Sequence, residues 1–217
     1  MTAGAESVDS TEFPAVATTG ATAAPRRVGL LFGSFNPVHT GHLILAEHFA
    51  TRTDLAEVWL VVSPQSPFKQ AQELLPAVQR LRLVQLAIAG NPRLRAEDIE
   101  LSLPRPSYTS TTLTALREKH PNLEFVLLMG ADNLAALPRW HDAARLMAET
   151  DIYVYPRPGA DLPDLTAFPR VRVVAAPLLD ISATYIRASL QAGRSIRYLV
   201  PAAVEAALDT LRPEGRR

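Results

Sequence analysis

From Arg26 onward, short continuous apolar runs alternate with longer stretches whose apolar residues recur every three or four positions. Side chains repeat every two residues along a strand and every 3.6 along a helix, so the runs read as buried strands and the stretches as amphipathic helices. Strands are predicted over Val28–Phe32, Glu57–Ser63, Glu124–Met129, Asp151–Tyr155 and Val171–Val174, with Asp98–Leu103 as a further candidate. Helices are predicted over Gly41–Thr51, Ala77–Ala89 and Ser110–Lys119, and near Thr184–Gln191 and Ala202–Leu211. In the first of these, Leu43, Ile44, Ala46 and Phe49 share a face that can meet a core.

Strands that are apolar throughout must be covered on both faces, which is the mark of a parallel sheet. Right-handed crossovers between parallel strands then give an α/β fold: a doubly wound, Rossmann-like sheet with helices on both faces, in a single domain. Ligands of such sheets lie beyond the carboxyl ends of the strands, near the point where strand order reverses. Candidate chemistry is therefore sought in the residues just after each strand.

Met1 to about Pro25 breaks the pattern. This segment is rich in Ala, Thr, Gly and Ser, carries only Glu6, Asp9 and Glu12 as charges, and offers little apolar surface against its ordering entropy. It is expected to be a disordered tail (residues 1–25) on a domain spanning 26–217. It has neither the basic start and apolar core of a secretory signal nor the arginines of a mitochondrial presequence.

Composition narrows the classes further. At 217 residues and 47% hydrophobic, the chain can bury a sizeable core, which excludes global disorder. No apolar run approaches the ~20 residues of a membrane span. The absence of Cys removes disulfides, thiolate metal sites and cysteine nucleophiles together. Basic and acidic residues balance at 22 each, and scattered Arg gives no continuous basic stripe, so no nucleic-acid or membrane partner is expected. Without the tail the balance is 22 basic against 19 acidic, mildly positive and suited to anionic substrates. A cytoplasmic protein is expected. Oligomeric state is not fixed, and a homo-oligomer is compatible with the sequence.

The densest chemistry follows the first strand, in Gly33-Ser34-Phe35-Asn36-Pro37-Val38-His39-Thr40-Gly41-His42. Gly33 permits a tight turn and close backbone approach, and Pro37 stiffens the loop. Gly41 and His42 open a helix whose free N–H groups and dipole favour an anion. His39 and His42 flank that spot. They read as proton-bearing donors to a phosphate, as a locally hydrogen-bonded pair, or as a metal pair, the last lacking a third ligand nearby. No Gly-Lys-Ser/Thr follows, so this is not a P-loop, and no residue is singled out as a metal ligand.

Other segments sit in comparable places. Asp180-Ile181-Ser182-Ala183-Thr184-Tyr185-Ile186-Arg187 follows the last strand and opens a helix that Ser182 or Thr184 can cap, with Arg187 one turn in and able to reach phosphates. Gly130-Ala131-Asp132-Asn133 falls at a strand's carboxyl end, where Asp132 can accept from ribose hydroxyls or cap a short helix over Asn133–Leu137. Trp59, inside a strand, is assigned to the core. Only Lys69 and Lys119 are lysines; Lys119 ends a helix, and Arg80 and Arg82 are expected on the exposed side of theirs.

The run GSFNPVHTGH resembles the H-x-G-H signature of the nucleotidyltransferase superfamily. VWLVVSPQSPFK (Val58–Lys69), LPRPSYTSTTL (Leu103–Leu113), FVLLMGADNLAALPRWHD (Phe125–Asp142) and DISATYIR (Asp180–Arg187) narrow the resemblance to the bacterial nicotinate-nucleotide adenylyltransferase family. It covers about Val28 to Leu208. Two departures are visible: Phe32 stands where the family often has a second glycine, and Ser182-Ala183-Thr184 replaces the common Ser-Ser-Thr.

The resemblance implies transfer of the adenylyl group of ATP to nicotinate mononucleotide, giving nicotinate adenine dinucleotide and pyrophosphate, a step of NAD biosynthesis. It implies His39, His42 and Arg187 as catalytic residues acting electrostatically. It places Gly33, Ser34, Phe35, Gly41, Asp132, Ser182 and Thr184 on ATP, with Asp132 at the adenosine ribose. Asn36, Lys69, Tyr108, Thr109, Trp140 and His141 would take the nicotinate mononucleotide. A flat pyridinium suits an aromatic face, so Trp140 is the expected stacking residue. Mg²⁺ would ride on the ATP phosphates with few or no direct protein ligands. The rivals are an adenylyltransferase preferring NMN or phosphopantetheine, and a nucleotide-sensing module without turnover.

Overall fold

The computed structural model describes residues 25–64, 74–157 and 159–211. The tail expectation, apart from Pro25, and Lys69 lie outside the described residues. Six strands, β1 (Arg26–Gly33), β2 (Glu57–Val62), β3 (Leu94–Glu97), β4 (Leu123–Gly130), β5 (Asp151–Tyr155) and β6 (Val171–Val173), form one sheet in the order β3-β2-β1-β4-β5-β6. Every neighbouring pair is parallel, with Leu30 of β1 level with Trp59 of β2 and Leu127 of β4. Strand order reverses between β1 and β4, which makes the gap beyond their carboxyl ends the natural ligand crevice.

The expected double winding follows from the alternation of side chains along the inner strands. Val58, Leu60 and Val62 of β2 and Val126 and Leu128 of β4 face one cluster; Trp59 and Val61, with Phe125, Leu127 and Met129, face the other. Helices α1 (Thr40–Arg52), α2 (Ala77–Ala87), α6 (Ala183–Gln191) and α7 (Ala202–Thr210) cover the first face. Helices α3 (Thr109–Lys119), α4 (Ala131–Ala136) and α5 (Ala143–Glu149) cover the second. Each fully buried aliphatic side chain in these layers contributes roughly 1.5–3 kcal/mol. Trp59 is core, 2% exposed, as its place inside a strand predicted.

Two expectations need correction here. The third strand is Leu94–Glu97, not Asp98–Leu103; Ile99–Leu101 is a 3₁₀ turn. β3 is an edge strand paired only to β2, so its charged residues Arg95 and Glu97 hid it, while the Ile99, Leu101, Leu103 alternation imitated a strand. Arg80 is not on an exposed face: it is 1% exposed, one turn before Leu83 and Val84 on the buried side of α2. Lys119 ends α3 as expected, and its Nζ lies 3.8 Å from the buried carboxylate of Glu97. The seven-residue helix α5 was not foreseen, being too short to display a period.

Candidate active site

The loop from Gly33 to His39 is shaped by packing as much as by glycine. The left-handed residue is Phe35 (φ 43°), not Gly33. Gly33 is needed because the Phe35 ring folds back beneath it, so a Cβ there would lie 2.8 Å from the ring. Phe35 is 2% exposed and belongs to the first-face core, and its ring meets His42 edge-on at 5.0 Å between centroids. Any contact of Phe35 with a nucleotide is thus left to its backbone.

The loop ends at His39, which caps α1 with extended backbone. The His39 N–H donates to His42 Nδ1 at 3.2 Å. An imidazole nitrogen that accepts carries no proton, so in the neutral ring the proton sits on His42 Nε2. The two rings stack with centroids 3.6 Å apart and planes 27° apart. His39 is 6% exposed, and burial lowers its pKa to about 4, so it is neutral at physiological pH. Gly41 allows the His39 ring to lie flat against the helix start; a Cβ there would be 3.2 Å from it. No acidic residue occupies the first turn of α1, so the helix dipole remains available to an anion.

The segment before α6 closes over this spot. Ser182 is the cap, accepting from the Tyr185 N–H at 3.1 Å, and the first turn of α6 again carries no acid. Arg187 donates through Nη2 to Thr184 Oγ1 at 3.3 Å and through Nη1 to the Asn36 carbonyl at 2.9 Å. That second bond joins α6 to the first loop across 151 residues of sequence. Leu179 Cβ would stand 4.0 Å from a Cβ on Gly41, which brings the 176–182 segment against the start of α1. Asn36 itself is 1% exposed, with Oδ1 accepting from the Leu75 N–H at 3.1 Å, so its side chain is built into the loop.

Across the switch point, Asp132 lies in the first turn of α4, which Gly130 caps, so Asp132 is not the cap and its carboxylate is exposed. It lies 3.4 Å from Arg157 Nη1. Gly130 lets the Arg157 stem cross this turn: a Cβ there would be 2.5 Å from both Arg157 Cδ and Asp132 Oδ1. At the start of α3 the Tyr108 and His141 rings stack at 4.3 Å and 21°, and Ser110 Oγ lies 3.2 Å from His141 Nδ1. Thr109 is the first residue of α3. Trp140 is half-buried and packs against the second-face core. The ring pair in this region is Tyr108 with His141, which no spacing rule reveals.

Known proteins resemble this chain in sequence and in fold. The model of the cytidylyltransferase-like family matches residues 30–189. A "Probable nicotinate-nucleotide adenylyltransferase" of Cytophaga hutchinsonii is 52% identical over 179 residues, covering 82% of this chain and 93% of the relative. One of the same name from Bacteroides fragilis is 45% identical over 181 residues, covering 83% and 90%. The chain belongs to the nicotinate-nucleotide adenylyltransferase family. The fold is that of the Plasmodium falciparum nicotinic acid mononucleotide adenylyltransferase complexed with NaAD, with a TM-score of 0.73, 17% identity and coverage of 88% of this chain and 98% of that one.

Among the described residues no helix is long and apolar enough to cross a membrane, and no group of three His, Cys, Asp or Glu could hold a metal ion. Two residues that sequence reasoning did not connect with the site belong to its frame. Arg157 stands over the Asp132 turn, and Arg80 lies beneath the first loop. Their signals in sequence are an arginine shortly after a predicted strand and an arginine three and four residues before Leu83 and Val84.

Proposed function

We propose that this protein transfers the adenylyl group of ATP to nicotinate mononucleotide, releasing pyrophosphate and giving nicotinate adenine dinucleotide for NAD biosynthesis. The observation that carries the reading is the Arg187–Asn36 bond, which brings the amino ends of α1 and α6 and a guanidinium to one place. Two helix starts and a fixed cation suit a polyphosphate and are excessive for a neutral ligand. The names of the relatives identify the acceptor class.

An oxygen of the mononucleotide 5′-phosphate attacks the α-phosphorus of ATP in line. The bond from that phosphorus to the α,β-bridging oxygen breaks, and its electron pair leaves with pyrophosphate. No protein nucleophile is needed; the site must hold two repelling anions in contact and meet charge growing on the bridging and non-bridging oxygens. His42 Nε2–H and Arg187 supply those donors, and neutral His39 supports His42 by stacking and through its backbone N–H. The backbone of Gly33, Ser34, Phe35 and Gly41, with Ser182 and Thr184 at the α6 start, lines the triphosphate. Asp132 takes the ribose hydroxyls, exchanging Arg157 for substrate. Tyr108, Thr109, Trp140 and His141 form the pyridine pocket; Asn36 acts on the mononucleotide through the loop that it braces, and Lys69 is its expected phosphate partner.

The side chains fixed at the α1 and α6 starts, Arg187 and the two histidines, are cationic or neutral, so this donor set fits a magnesium ion that arrives on ATP better than one bound by protein alone. Such an ion neutralises phosphate charge when bound. A cytoplasmic enzyme acting on small nucleotides, without nucleic-acid or membrane partners, completes the reading. The test is pyrophosphate release from ATP, Mg²⁺ and nicotinate mononucleotide, run beside NMN and phosphopantetheine. Turnover fastest with the nicotinate form supports the proposal. Tight ATP binding without turnover of any acceptor would turn it into the sensing module.

A further inference from the structure

Arg80 is the most buried cation among the described residues, and its partners are unusual. Its guanidinium donates from Nε to the Leu75 carbonyl at 2.9 Å, from Nη1 to the Ser63 carbonyl at 2.8 Å and to the Ser34 carbonyl, and from Nη2 to the Pro64 carbonyl at 2.8 Å. All four acceptors are neutral backbone oxygens. No carboxylate among the described residues pairs with it, and burial pulls its pKa down without removing the charge of so basic a group.

Those carbonyls belong to three pieces of chain that meet at the carboxyl end of the sheet. Ser34 lies in the loop after β1; Ser63 and Pro64 are the exit from β2; Leu75 approaches α2. The Ser63 N–H also donates to the Gly33 carbonyl at 2.9 Å, and the Leu75 N–H to Asn36 Oδ1. The Asn36 carbonyl in turn receives Arg187. Arg80 is therefore the hub of a chain of hydrogen bonds that runs from α2 through the first loop to Arg187 on α6.

We infer that Arg80 is a positioning residue for adenylyl transfer: its planar fork clamps the β1 loop to the β2 exit, and so sets where Asn36 and Arg187 stand. A planar guanidinium reaches carbonyls on several sides at fixed angles, which an ammonium does not reproduce. Buried carbonyls that lose their donor either go unpaired or turn, and turning Ser34 displaces the loop on which the in-line geometry depends. The cation also places one positive charge, which no described carboxylate pairs, under a site for two anions, where low dielectric preserves its field.

This inference rests on the reading of the site as an adenylyltransferase centre, and the experiment separates the two. Arg80→Lys and Arg80→Met are compared with wild type by thermal unfolding. ATP affinity is then measured by calorimetry without acceptor, and kcat and KM for both nucleotides are taken at a temperature where each protein is fully folded. The expected result is a folded Lys variant whose kcat/KM falls about 10- to 100-fold, shared between kcat and the two KM values, with Met worse. Guanidinium added to Arg80→Ala should recover part of the activity, which relief of a general instability would not give. Folded Lys and Met variants with wild-type kinetics and ATP affinity would overturn the inference, as would a Lys variant that loses only thermal stability. If Met and Ala do not fold, the Lys variant alone decides. If wild type releases no pyrophosphate, the activity reading falls, while ATP affinity of the Lys variant against wild type still judges Arg80.

Discussion

At the amino end of the sheet, Arg27 at the start of β1 is enclosed by acids. It pairs with Asp54, with Asp151 and with Glu124 (3.2 Å), and donates to the Tyr153 hydroxyl at 2.8 Å. Arg170 adds a second cation on Asp151 at 2.8 Å, and Arg172 lies over the Tyr153 ring. At the carboxyl end, Arg80 and Arg187 are held by backbone carbonyls of the same loop region. One end gathers carboxylates around its arginine, and the other holds the Arg80 guanidinium on neutral backbone carbonyls with no carboxylate partner among the described residues. The first arrangement serves cohesion. The second leaves a field that an anionic substrate can complete, at the cost of desolvating the Arg80 guanidinium, which meets only carbonyls among the described residues.

The largest expected effect lies at the carboxyl end. His42→Ala removes the Nε2–H donor and should lower kcat by about 10²–10³ with the thermal midpoint nearly unchanged. Pyrophosphate release from a folded variant measures it; wild-type turnover would dissolve the contrast between the ends.

Next is the response to acid. His39 in the folded protein holds its proton only below about 4, whereas the unfolded chain takes one up near 6.5. Between those values the unfolded state binds more protons, so stability rises with pH across the window. It is full above pH 6.5 and drains away as pH falls toward 4, by about 3 kcal/mol at most. Denaturant unfolding of wild type and His39→Asn at pH 7 and pH 4.5 isolates the His39 contribution, and a difference independent of pH would reject it. Burial pushes the Asp54 carboxyl up, but hydrogen bonds from Tyr153 and Arg27 outweigh this and hold it below the usual range. The Arg27–Asp54 pair should therefore persist to lower pH than an ordinary carboxylate would allow.

Arg27→Met then probes that network directly. Removing a partly exposed hub that three carboxylates share should cost about 1–3 kcal/mol by chemical denaturation. Turnover per folded molecule should stay within about twofold, because nothing between Arg27 and the loops moves. A large fall in kcat would mean that the two ends are coupled. The smallest effect expected is that of Ser182→Ala, which loses the α6 cap and about 1 kcal/mol of stability, with KM for ATP raised more than KM for the mononucleotide.

The fold and much of the site could be read from the chain because the signals are local. Apolar runs such as Val58–Val62 and Phe125–Met129 carry their two-sided burial in their own composition, and the H-x-G-H spacing puts both imidazoles at a helix start whatever surrounds it. The errors arose where a neighbour far along the chain supplied the meaning. β3 is a strand because β2 lends it a ladder, although half of its side chains are charged. Arg80 is buried because four carbonyls from three segments converge on it, and no helical period announces that.

What the sequence determined by itself was most of the elements, that they stack as a two-faced parallel sheet, and which motifs follow the strands, since pattern and turn chemistry act over a few residues. Tertiary structure decided which of those motifs meet. It put Arg187 on Asn36, stacked Tyr108 on His141, emptied His39 of its charge and turned a surface-looking arginine into a clasp. Those outcomes depend on desolvation and on hydrogen bonds that join residues up to 151 positions apart, quantities that exist only once the chain has closed.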